Sequence, residues 1–97
     1  MPVFPENITV RATANDIKYG IKSHPCKCAL ARAVKRTLKP YGVSVVDVDN
    51  WTGQITVCND YGEWQYPLTK HALAFVENFD ERKSLVQPTT FRFKRGW

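Results

Sequence analysis

Apolar positions first fall into a period at residues 7–12 (NITVRA), where Ile8, Val10 and Ala12 alternate with Thr9 and Arg11. A period of two predicts a half-buried strand. Thr13 then offers a helix N-cap, with Asp16 three residues on and Ile17 as the apolar contact, so a short helix follows that Gly20 is expected to end at positive φ. The strongest pattern is residues 24–40, HPCKCALARAVKRTLKP. On a 3.6-residue wheel Cys26, Leu30, Ala33, Val34, Thr37 and Leu38 gather on one side, while Arg32, Lys35, Arg36 and Lys39 crowd into about a third of the circumference opposite. Pro25 suits a first helical turn, and Pro40 with Tyr41-Gly42 stops a helix whose last turn already carries cations. One face is built to be buried and the other is basic.

Beyond Gly42 the run VSVVDVD slips phase between Val45 and Val46, which leaves open a bulge or a strand buried on both faces. Asn50-Trp51-Thr52-Gly53 and Asn59-Asp60-Tyr61-Gly62 are turn chemistry around the strands QITVC and EWQYP, and turns this short predict an antiparallel meander. Leu68, Ala72, Phe75, Val76 and Phe79 then recur at helical spacing, with Thr69 as N-cap and 78–82 as the polar exit. TTFRFKRGW closes the chain as a strand with Phe91 and Phe93 inward and Arg92 and Lys94 outward. The fold class that follows is α+β: a mostly antiparallel sheet of about five strands, with two main helices and one short helix packed on one face.

Length and composition fit a single soluble domain over residues 1–97, with 43% hydrophobic residues and no apolar run near the ~18 residues of a membrane span. The segment MPVFPENITV has neither a basic nor an apolar signal region, so the protein is expected in the cytosol. Three cysteines cannot close a disulfide framework, and reduced thiols are expected. The formal net charge of +5 favours an acidic partner such as nucleic acid, nucleotide phosphate or an acidic protein face, although lysine used for solubility gives the same balance.

Candidate chemistry narrows the picture by elimination. His24, Cys26, Cys28, Cys58 and His71 lack the paired C-x₂-C knuckles of structural zinc, and two cysteines spaced C-x-C on a helix point about 200° apart, so no metal and no cofactor is expected. Cys26 reads as a small core residue; Cys28, beside Arg32 and Lys35 near a helix start, has the sharper alternative of a stabilised thiolate. The carboxylates sit at turns and helix ends, no phosphate loop, G-x-S-x-G or H-E-x-x-H is present, and no catalytic residue is assigned. The expectation is a binding protein.

Ile17 and Gly20, then Cys26, Cys28, Ala29, Ala31 and Ala33, then Phe79-Asp80, Pro88 and the Phe91-x-Phe93 ending together give a pattern over about residues 7–94. It resembles a family of small uncharacterised proteins encoded by tailed phages and some bacteria. This chain departs from that pattern in having no proline after Cys28 and in the Thr89-Thr90 insertion. The resemblance implies a phage-type origin and a shared fold, and implies no chemistry.

The expected function is therefore a phage-encoded, non-enzymatic accessory protein of the anti-defence or host-takeover kind, an anti-CRISPR-like inhibitor among them. It binds nucleic acid, or a host complex that handles it, through Arg32, Lys35, Arg36 and Lys39, with Lys94, Arg95 and Trp97 as a tail contact and Lys27 and Arg92 extending the patch. A solvated helix face shows the same stripe. Two further readings stand beside it: a nucleotide-signal binder using Trp64 and Tyr66, and a protein-only inhibitor anchored by Trp51 or Trp97. Tyr41, Tyr61, Trp64 and Tyr66 otherwise line the sheet, and a homodimer through the last strand is open.

Overall fold

The computed structural model describes residues 4–96, so Trp97 lies outside the described residues. The chain runs β1 (Asn7–Ala12), α1 (Ala14–Tyr19), α2 (Ala29–Leu38), β2 (Val45–Asp49), β3 (Gln54–Asn59), β4 (Gly62–Pro67), α3 (Lys70–Glu81) and β5 (Thr89–Lys94), with 3₁₀ turns at Lys39–Tyr41 and Lys83–Leu85. It is a small α+β domain in the predicted element order. The strands form two antiparallel sheets rather than one: β1 pairs with β5, and β2, β3 and β4 make the meander. A hydrogen bond from Gly96 N–H to the Gln65 carbonyl, at 2.8 Å, ties the end of β5 to β4.

The helix α2 lies against both β1 and β2, and this position explains its composition. Ala29, Leu30, Ala31, Ala33, Val34 and Leu38 are all buried, and three alanines let two sheets approach one helix closely. Within α2 only Arg32, Lys35 and Arg36 are exposed, and Lys39 at its C-cap continues their stripe. The helix α3 lays Ala72, Phe75, Val76 and Phe79 on the core, with Phe75 edge-on to Phe91 of β5 at 5.1 Å. Phe91 and Phe93 face inward, as the alternation predicts.

Four local expectations are corrected. The helix begins at Ala29 rather than at residue 24, because the carbonyls ahead of it are engaged elsewhere: Pro25 accepts the Val48 N–H of β2 at 2.9 Å and Lys27 accepts the Ile21 N–H at 2.8 Å. Cys28 thereby becomes the N-cap and is buried, while Cys26 is exposed. Gly20 sits at φ −66°, not at positive φ; it is required by space, since a Cβ there would lie 2.6 Å from the Asp16 carbonyl, 2.7 Å from the Ala29 nitrogen and 2.9 Å from the Phe79 ring. The valine slip produces no bulge: Val46 and Val48 point inward in unbroken register with β3, and Val45 is exposed. Tyr61 is exposed as well, because it sits in the β3–β4 turn rather than on a sheet face.

Candidate anion-binding face

The basic stripe is built around a buried acid. Asp16, fully buried in the first turns of α1, closes a capping box with Thr13: its carboxylate accepts the Thr13 N–H at 2.9 Å and the Thr13 hydroxyl at 3.1 Å. The same carboxylate receives both arms of the Arg36 fork, at 2.7 and 2.8 Å, and Arg36 also donates to the Arg11 carbonyl of β1 at 2.6 Å. Arg32 Nε stands 3.6 Å from the acid and lies over the Tyr19 ring. Burial by itself would raise the Asp16 carboxyl; the Arg36 hydrogen bond and charge, with the Thr13 hydrogen bonds, outweigh it and hold the group below the usual carboxylate range.

This divides the four predicted cations into two kinds. Arg36 is a structural clamp joining α1, α2 and β1, and Arg32 is drawn partly toward the same acid. Lys35 and Lys39 are exposed, one turn apart, and neither has an acidic partner within 4.0 Å among the described residues. All four, with Asp16 and Val43, line one open depression of about 500 Å³. Its four cations surround one carboxylate that is already fully hydrogen-bonded, so it offers donors and positive charge to an oxyanion.

The predicted tail contact separates. Arg95 is half-buried, and its guanidinium donates to the Phe4 carbonyl while its N–H bonds Glu6, so it pins the segment before β1. Lys94 stays exposed, 4.0 Å from Glu6. Arg92 projects from the same outer face as Lys94 and has no acidic partner among the described residues.

The other candidates resolve on geometry. Cys28 accepts the Ala31 N–H through Sγ at 3.4 Å, and burial pushes its thiol up, the opposite of the thiolate expectation. Tyr66 is fully buried with its hydroxyl donating to the Pro5 carbonyl, and Trp64 is edge-on to Phe4 at 5.0 Å; both rings are committed to packing rather than to a ligand pocket. Burial, countered in part by Arg95, raises the Tyr66 phenol to about 12. Trp51 is 95% exposed on the β2–β3 turn, at the rim of a cavity of about 350 Å³ that also reaches His24, Cys28 and Asp80. No group of three or more His, Cys, Asp or Glu is placed to hold a metal ion, and no helix is long and apolar enough to cross a membrane, among the described residues.

The clamp is what sequence reading missed. A helical wheel compares residues within one helix, whereas Asp16 lies 20 residues before Arg36; its signal was the capping box, which marked Asp16 as a fixed acid without naming its partner. No family model matches the chain, and neither a curated protein nor a solved structure matches it.

Proposed function

We propose that this protein is a non-enzymatic binding module whose exposed α2 face docks phosphate-bearing nucleic acid, free or within a nucleic-acid-handling complex. One observation carries the reading: Arg32, Lys35, Arg36 and Lys39 line a single open depression whose only carboxylate is satisfied internally. Lys35 and Lys39 supply free charge, Arg32 supplies a partly engaged guanidinium, and Arg36 holds the helix in place. In the setting that the phage-family resemblance implies, such binding would serve an accessory role against host defence or in host takeover. Titration of a fluorescein-labelled oligonucleotide at graded salt tests it. Saturable binding is expected, with log K falling, for each tenfold rise in salt, by about 0.9 per phosphate engaged on a duplex and about 0.7 on a single strand, and Lys35→Glu with Lys39→Glu is expected to weaken affinity and flatten that slope. Absence of saturable binding at low salt to any nucleic acid refutes it.

A second reading, a protein partner anchored by Trp51, is favoured by that side chain's exposure of 95%. It predicts a complex that survives nuclease and is lost in Trp51→Ala.

A further inference from the structure

The β1–β5 ribbon has one face packed on the core and one face bare. Its register places Asn7 opposite Lys94, Thr9 opposite Arg92 and Arg11 opposite Thr90, and all six side chains are exposed. Arg92 and Lys94 are two residues apart on one strand, about 7 Å, and Arg11 lies on the diagonal from Arg92 at about the same spacing. Neither Arg11 nor Arg92 has an acidic side-chain partner among the described residues, and the nearby carboxylate, Glu6, stands 4.0 Å from Lys94 at the end of the ribbon. The guanidiniums that α2 spends on Asp16 therefore have unspent counterparts here. The bond between Arg36 and the Arg11 carbonyl joins the α2 stripe to the edge of the same ribbon.

Which anion this face fits follows from what it lacks. Sheets that hold single strands present aromatic rings for bases to stack on, and the rings of β5, Phe91 and Phe93, point inward. What remains is arginine, lysine, asparagine and threonine on a two-stranded ribbon of six residues a strand, about 20 Å long. A two-stranded ribbon is narrow enough for the ~12 Å major groove of B-form DNA, where an arginine fork can meet guanine and the other side chains can meet phosphate. The major groove of A-form RNA is too narrow and deep for this approach. We propose that the outer face of the β1–β5 ribbon, through Arg11, Arg92 and Lys94, docks in the major groove of double-stranded DNA. This rests on the nucleic-acid reading above and names its partner and the surface that makes the specific contact.

The test is fluorescence anisotropy with a labelled DNA duplex of about 20 base pairs, its separated strands and the RNA duplex of the same sequence. The wild type is expected to bind the DNA duplex at least about tenfold more tightly than either alternative. Arg92→Glu with Lys94→Glu should weaken that binding by at least about tenfold, and Arg92→Gln with Lys94→Gln by a smaller factor with a flatter salt slope, while thermal melting checks that both variants fold. Equal or tighter binding of single strands or RNA overturns the proposal, and so does wild-type affinity in the folded ribbon variants. Lys35→Glu with Lys39→Glu is measured in parallel: loss there alone refutes the ribbon and keeps the α2 reading, and no binding by the wild type refutes both.

Discussion

Replacing Asp16 by asparagine puts the clamp to a quantitative test. The carboxylate accepts four hydrogen bonds, two from Thr13 and two from Arg36. A hydrogen bond to a charged group contributes about 1.5–3 kcal/mol, and because Arg36 is half-exposed the lower end applies, giving about 3 kcal/mol for the two arms. An amide can still accept from Thr13, but its NH₂ would face a guanidinium, and loss of part of the capping box adds up to about 1 kcal/mol. The expected cost is about 3–4 kcal/mol out of the ~5–15 that hold a domain together, which at ~4–8 °C per kcal/mol lowers Tm by about 12–32 °C. Chemical denaturation of wild type, Asp16→Asn, Arg36→Ala and the double variant closes the cycle, with a coupling of at least ~1.5 kcal/mol expected. A loss below about 1 kcal/mol for Asp16→Asn, or strict additivity in the cycle, would refute the clamp.

The same clamp sets acid stability. The Asp16 carboxyl is lower in the folded chain than its ordinary 3.8, so its contribution is complete above the unfolded value and is lost as pH falls through the folded one; Asp16→Asn should lack that limb in a pH series of denaturation midpoints. Gly20→Ala should cost about 1–3 kcal/mol, because the methyl meets backbone on two sides; a neutral or stabilising result in equilibrium unfolding would contradict the packing there. Iodoacetamide followed by peptide mass mapping should label exposed Cys26 in the native protein and reach buried Cys28 only under denaturant. Tyr66 should ionise at about 12 in a spectroscopic titration, and its raised value makes its contribution full below the ordinary 10 and lost as pH rises through the folded value, a limb that Tyr66→Phe should remove.

How much was legible in the sequence depended on how local the deciding interaction is. The strand at residues 7–12, the Thr13 and Thr69 caps and the 70–81 helix were readable, since alternation and capping involve neighbours within a few positions. The helix start was not, because the carbonyls of Pro25 and Lys27 are taken by Val48 and Ile21, partners no wheel includes. At Gly20 the residue type suggests freedom of φ, whereas its role is the absence of a methyl between α1, α2 and Phe79. The split into two sheets was hidden for a related reason: pairing of β1 with β5 joins the two ends of the described chain. For the site, the sequence identified the cationic stripe and could not divide it, because the division rests on an acid in another helix.

The central claim is that nucleic acid meets the exposed cations of α2 and the outer ribbon. Amide ¹H–¹⁵N shift mapping during titration with a short DNA duplex tests it most directly. The account predicts saturable shifts clustered at residues 32–39, 9–11 and 90–94, with Trp51 and its turn unmoved. Shifts confined to the Trp51 turn, or none that saturate at low salt, would contradict it.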